Sequence, residues 1–369
     1  MKKISYVWKA FAVVLMLVTA YSCEREDGEP QLDSKQFSRL YVSFEEYGTS
    51  NAGIPDTNVR IINAADSNVF KFSLRHLSPA RGGGVIYFNP YLQSVFHAPA
   101  YQSGLNDSSV YSLSVGPNVG LLTNTGRMGN RLFDFVKGFA YHAPTQTLLM
   151  VNADGPNAGI YLVDRPKGRN NYTKPFKKLR ATGLDMWGAA FYKYDLFVSK
   201  RGENGGIYVF EKIMDTKVNA ADSIGKLEPT RMLSIADAKN LRGLAYDTLK
   251  NVLAVTDYVT NGAVGTGRIL IFDNFSSLIK QETIVPTRII TGAATLLKEP
   301  VDVAIDSREK GVFIYVVDKS KKILRFKLSD DGNIAPDNYI DTGTEGASGI
   351  KGTPVSLTLD ARDFSTLNP

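Results

Sequence analysis

Cysteine is almost absent: Cys23 is the only one in 369 residues, so no internal disulfide can staple this chain. Histidine is nearly as scarce. His76, His97 and His142 fall in different parts of the repeat described below, which argues against a His-centred metal site or catalytic triad. There is no Gly-x-Ser-x-Gly elbow, no His-Glu-x-x-His and no P-loop. The glycine run after Arg81 precedes a strand rather than a helix, so it lacks the helix N-terminus that phosphate binding would use. Charge of one sign is also missing. The formal net charge is +6, and three of those charges are Lys2, Lys3 and Lys9 at the N-terminus. About +3 remains for the rest, scattered and without the dense basic clusters that phosphate contacts need, so no nucleic-acid partner is expected. The chain is otherwise of ordinary globular composition, 43% hydrophobic and 22% charged.

Residues 1–22, MKKISYVWKAFAVVLMLVTAYS, combine a basic start, an apolar run from Phe11 to Val18 and small residues at Ala20 and Ser22, the layout of a secretory signal. The run is too short to span a bilayer comfortably. Cys23 follows directly, and the junction resembles a bacterial lipoprotein signal, in which the cysteine after the cleavage site is lipidated. It departs from that pattern at Ala20, where an aliphatic residue is usual, and at bulky Tyr21. Glu24, Glu26, Asp27 and Glu29 resemble the surface-export tag of lipoproteins of the Bacteroides group; a solvated linker reads the same way. The expectation is a signal over 1–22, a lipid-anchor linker over 23–38, and an exported protein held in the cell envelope by lipid on Cys23, at the outer membrane and facing the surface.

From residue 39 onward the chain repeats. RGLAYDTLKNVLAVTD, an apolar strand, a polar turn and a second strand, returns as GFAYHAPTQTLLMVNAD, GAAFYKYDLFVSK and PVDVAIDSREKGVFIYVVD. Small residues in mid-strand serve as anchors. Ala140, Ala190, Ala245, Ala304 and Thr358, with Tyr87 in the same place earlier, follow one another at 50 to 59 residues. Each unit then shows a second strand (SVFHA, LLMVNA, DLFVSK, VLAVTD, FIYVVD), a third (VYSLS, IYLVD, IYVFE, ILIFD, ILRFK) and a weaker fourth. The last unit has only its first strand, PVSLTLDAR; the three it lacks stand at the other end, as LYVSFEE, VRIINA and VFKFSL.

Six four-stranded units whose incomplete member is finished by the opposite terminus specify an all-β, six-bladed β-propeller over 39–369, closed by its C-terminal strand. A β-sandwich would account for the strands but not for the sixfold period. GLAYD with LAVTD and RILIFD, and PTRIITG with EPVDVAID, resemble the NHL-like and TolB-like six-bladed propellers. That resemblance implies architecture and little about activity, because the scaffold hosts lactonases, lyases, dehydrogenases and plain binding modules.

In a meander of this kind the fourth-to-first and second-to-third loops emerge on one face, and the propeller resemblance implies that ligands bind there, around the axis. Lys137, Asp185, Trp187, Arg242 and Asp302 come from the first set of loops; Tyr101, Asn152, Asp257, Tyr258 and Asp318 come from the second. Trp187, Tyr47, Tyr101 and Tyr258 are flat platforms suited to a sugar ring or a peptide side chain, and packing of loops onto blades is their plainer use. Arg81, Lys137, Arg242 and Lys351 outnumber Asp185 and Asp302 around this mouth, which leans it toward an anionic ligand, against the simpler reading of a mixed, solvated rim. Asn152, Asp257 and Asp318 end second strands, where oxygens from three blades would gather a Ca²⁺; capping their own turns is the simpler role. Asp247, Asp306 and Asp360 close first strands and are assigned to turn capping. Lactonase-type propellers carry an axial Asn in a Pro-Asn-Gly turn, and here Arg242 occupies that place. A binding or interaction module for glycan or surface protein, with no cofactor, is therefore the first expectation, and a metal-assisted hydrolase or lyase using Asp257 and Asp318 is the rival.

Overall fold

A computed structural model of the protein describes residues 36–48, 57–101, 106–181, 183–343 and 352–362. The expected signal over 1–22, Cys23, the acidic stretch and Lys351 lie outside the described residues. Among the described residues no helix is long and apolar enough to cross a membrane.

The local unit is the hairpin that repeats in the sequence. In one copy Leu244–Asp247 pairs antiparallel with Val252–Asp257, Tyr246 facing Leu253. Asn251 takes a left-handed φ of 54° to turn the chain. The Asp247 carboxylate accepts the Leu249 and Lys250 backbone N–H at 2.8 and 3.0 Å, which satisfies donors that the turn would otherwise strand. Asp306 accepts from Arg308 N–H and Asn89 from Leu92 N–H, so these first-strand ends are turn caps; Asp360, expected to do the same, instead pairs with Arg39 and Arg362 because the chain makes no hairpin after it.

Six sheets follow in a meander. Blade 1 joins the C-terminal strand Pro354–Asp360 to Arg39–Phe44, Val59–Asn63 and Leu74–His76. Blade 2 holds Ile86–Asn89, Ser94–His97, Ser109–Val115 and Leu122–Gly129. Blade 3 holds Val136–His142, Thr147–Asn152, Gly159–Asp164 and Lys177–Arg180. Blade 4 holds Met186–Tyr192, Asp195–Lys200, Gly206–Phe210 and Arg231–Ile235. Blade 5 adds Arg268–Asp273 and Arg288–Thr291 to the hairpin above. Blade 6 holds Pro300–Ile305, Phe313–Asp318, Lys322–Lys327 and Asn338–Asp341. The expected closure is present: Tyr41 pairs with Thr358 and Leu40 with Leu359. First strands of neighbouring blades touch all the way round, blade 1 meeting both blade 6 and blade 2, which makes the protein a closed six-bladed propeller.

Among the described residues the apolar core does not sit at the axis. Six apolar clusters lie between adjacent blades, one at each junction. The cluster between blades 5 and 6 packs Ala254, Ile269 and Ile271 on Ile314, Val316 and Leu324. This explains why second and third strands read as continuous apolar runs: both faces of each sheet are covered.

Two features differ from the sequence expectation. The fourth strand of blade 1 is Leu74–His76, a few residues later than VFKFSL suggests. Blades 3 and 4 have a fifth strand, each a short parallel addition: Ile224–Lys226 on Lys177–Arg180, and Thr283–Ile284 on Arg231–Ile235. Both come from the third-to-fourth connection of the next blade, which reaches back over its neighbour's outer edge. The same reach recurs as single bridges, Tyr172 on Gly129 and Gly332 on Ile290. It recurs again as Arg39 hydrogen-bonded to the Gly116, Pro117 and Asn118 carbonyls, and Arg325 to those of Ala65 and Ser67. In blades 2 to 5 the outer strand is thereby paired, over at least one residue, by its neighbour's connection rather than left wholly open to another chain.

Candidate functional site

The anchors do what small residues near an axis should do. Tyr87, Ala140, Ala190, Ala245, Ala304 and Thr358 all line an axial cavity of about 350 Å³. Just before them, glycines allow the first strands to close in. A Cβ on Gly138 would lie 2.4 Å from the Trp187 carbonyl oxygen, and one on Gly243 would lie 2.4 Å from the Asp302 Cα; no side chain fits between backbones that close.

A smaller cavity of about 70 Å³ opens at the channel mouth, lined by Glu45, Lys137, Trp187, Asp302, Lys319, Ser356 and the glycines between them. Its shape follows from irregularities in the first strands. Register breaks between Val136 and Gly138, between Met186 and Ala189, and between Pro300 and Asp302. Such bulges bend a strand and re-aim the extra side chain. Here they turn Lys137 and Trp187 onto one another and bring Val301 to the same rim; Val355 sits at the matching break in blade 1. The mouth therefore has a cationic and aromatic arc centred on blades 3 to 5, and an opposite arc on blades 6, 1 and 2 where Val301, Val355 and Val85 alternate with Asp302, Lys319 and Glu45.

Within the first arc, the Lys137 Nζ lies 4.5 Å from the Phe135 ring centre, 5.3 Å from Trp187 and 5.7 Å from Tyr101. Arg242 stacks on the other partner of the group, its Cζ 4.1 Å from the Trp187 centre and 5.6 Å from Tyr258, and donates to the Tyr258 hydroxyl at 3.2 Å. The Tyr101 hydroxyl donates to the Phe133 carbonyl at 2.8 Å, which fixes its ring. Neither Lys137 nor Arg242 forms an ion pair among the described residues, and the Arg242 Nε and Nη1 are buried without a hydrogen-bond partner there. Loss of hydration beneath the rings pulls the Lys137 ammonium down to about 8, with Glu45 opposing and Lys319, Arg242 and Arg201 adding to the drop. Asp302 moves the other way. Burial raises its carboxyl to about 6 although the Ser356 hydroxyl and the Leu357 and Val303 N–H groups donate to it.

The remaining sequence candidates lie elsewhere in the loops. Asp185 is 58% exposed, 3.5 Å from Arg201, which also meets Asp154 at 2.8 Å. Asn152 accepts from Phe135 N–H at 2.7 Å and donates to Asp134 and to the Asn157 carbonyl. Asp257 accepts from the Lys239 and Asn240 N–H groups at 3.0 and 2.6 Å and pairs with Arg268. Asp318 accepts from Lys298, Glu299 and Ser320 N–H. All three are buried and each secures its own blade's loops. No group of three or more His, Cys, Asp or Glu placed to hold a metal ion occurs among the described residues. Sequence reasoning placed Glu45 on this face without a role and missed Phe135, Lys319 and Ser356. Its usable signal was the residue immediately before the axial small one: Lys137-Gly138, Trp187-Gly188, Arg242-Gly243, Val301-Asp302, Val355-Ser356.

No family model matches the chain, and no curated protein matches it. Among solved structures it is similar to one of the nidogen/laminin complex, with a TM-score of 0.52 and 14% identity over 88% of this chain and 98% of that one. It is also similar to a functionally unknown protein from Desulfotomaculum acetoxidans DSM 771, with a TM-score of 0.46 and 11% identity over 82% and 79% of the two chains. At this distance the first likeness carries the fold alone, and the fold it carries is the one the blades show.

Proposed function

We propose that this protein is a binding or interaction module that takes an anionic group of a glycan or a partner protein at the Trp187 end of its channel. The observation that carries the reading is two cations, Lys137 and Arg242, packed on one indole with no carboxylate paired to either among the described residues. Glu45 acts on Lys137 only at longer range than an ion pair, and the net positive charge left beside a half-buried aromatic ring favours a ligand that brings a negative group and a flat apolar surface. The nidogen/laminin structure, a complex of proteins on a similar fold, is compatible with a protein ligand. The rival metal-hydrolase reading draws no support from Asp257 and Asp318, whose oxygens serve backbone N–H groups.

Arrays of acidic glycans and acidic peptides test the surface. Trp187→Ala should weaken retention about 30-fold, the ~2 kcal/mol typical of a buried aromatic anchor, and added salt should weaken it further. Equal retention by the variant at matched salt would move the ligand off this face.

The module is, in this proposal, exported and tethered to the outer membrane through Cys23, a position outside the described residues. The support is the sequence junction alone. Cells fed labelled palmitate should label the protein, and Cys23→Ser should lose the label; labelled Cys23→Ser protein would refute the anchor.

A further inference from the structure

Lys137 is placed for more than charge. Its amine sits in a box of Phe135, Trp187 and Tyr101 rings, forms no ion pair among the described residues, and borders both the mouth cavity and the axial channel. Asp302 borders the same two spaces. An amine held among apolar rings beside other cations is an activated nucleophile, and a carboxyl group lining the same cavity can carry protons for it.

We propose that Lys137 condenses with the carbonyl of a small 2-oxo acid at the channel mouth to form a Schiff base, with Asp302 carrying the protons and Arg242 favouring the ligand's carboxylate. The Lys137 Nζ lone pair attacks the carbonyl carbon, and the carbonyl π pair moves to oxygen, which takes the Asp302 proton. Nitrogen then loses a proton to Asp302. That proton goes to the carbinolamine hydroxyl, which leaves as water while the nitrogen lone pair closes the C=N bond. One water is released, and no oxidant or reductant is consumed.

The step needs a free amine and a protonated acid together. Lys137 frees its proton at about 8 and Asp302 takes one up at about 6, so the rate should pass through a maximum between those values. The groups that set this window are Glu45, Lys319, Arg201 and Arg242 around Lys137, and the Ser356 hydroxyl at Asp302. The reactivity does not depend on the glycan or peptide reading, because it is read as a covalent adduct rather than as retention.

Pyruvate with sodium cyanoborohydride, which reduces an imine to a stable secondary amine, should mark the protein once, on the peptide that contains Lys137. Lys137→Arg should abolish the mark, whereas Lys226→Arg, an exposed lysine paired with Glu228, should keep it. Asp302→Asn should slow marking about 100-fold, within the usual range for loss of a general acid. Adducts spread over surface lysines, or marking that survives Lys137→Arg, would overturn the proposal; should that variant not fold, the adduct map of the unaltered protein decides by itself.

Discussion

A chain ended after Thr353 should lose its cooperative unfolding transition. The removed strand, Pro354–Asp360, pairs with Arg39–Phe44 over its whole length. Its Ser356 and Thr358 hydroxyls accept the Ile86 and Phe88 N–H groups of blade 2 at 3.1 and 2.9 Å. On the other side it contacts the first strand of blade 6. One strand therefore holds three blades together. Without it Arg39–Phe44 becomes an open inner edge, its N–H and C=O groups unpaired where burial would demand partners. Leu357 leaves the cluster between blades 1 and 6. The loss is comparable with a whole domain's net stability of about 5 to 15 kcal/mol. Far-UV circular dichroism across a urea series reads it, and a synthetic peptide of residues 352–362 should restore the transition when added in trans. A truncated chain that melts at the same urea concentration as the full protein would show that closure is dispensable.

Asp360→Ala should cost about 3 to 5 kcal/mol, the usual penalty for leaving a buried charge without its partner. Asp360 is 0% exposed and stands between two guanidinium groups. Arg39 lies 3.6 Å away and is also 0% exposed, and Arg362 donates to it at 2.6 and 2.9 Å. Arg39 in turn donates to carbonyls of the loop from blade 2 at 2.7 and 2.8 Å and stacks 3.5 Å above the Phe37 ring. Removing the carboxylate leaves two cations facing each other in a dry site at the closure seam. Asp185→Ala is the contrast. That carboxylate is 58% exposed beside Arg201, and its loss should change stability by about 0 to 1 kcal/mol. Urea midpoints of the two variants measure the difference; a cost at Asp360 no larger than at Asp185 would mean that the seam does not depend on charge balance.

Much of the fold was legible in the sequence, for a local reason. A blade is built from consecutive residues, so its apolar runs, its turn caps such as Asp247 and Asp306, and its small anchors recur at a readable spacing. The unfinished last unit and the surplus strands at the start disclosed the closure. The fifth strands were not legible, because Ile224–Lys226 and Thr283–Ile284 are short and pair with a blade other than their own. At the mouth, Trp187, Lys137 and Arg242 were identifiable as residue types on loops of one face, but so were Asp257 and Asp318, and nothing in their chemistry separated a free side chain from one saturated by backbone donors.

The order of residues by itself determined the number of blades and the closing strand, since each of these is written in contiguous segments and repeated. Tertiary structure alone decided which side chains meet. Lys137, Trp187 and Arg242 are about fifty residues apart in the chain, and they become neighbours because adjacent blades converge at the axis, with bulges re-aiming Lys137 and Trp187. Their altered charge behaviour has the same origin, for desolvation depends on what surrounds a group in space and not on what precedes it in the chain.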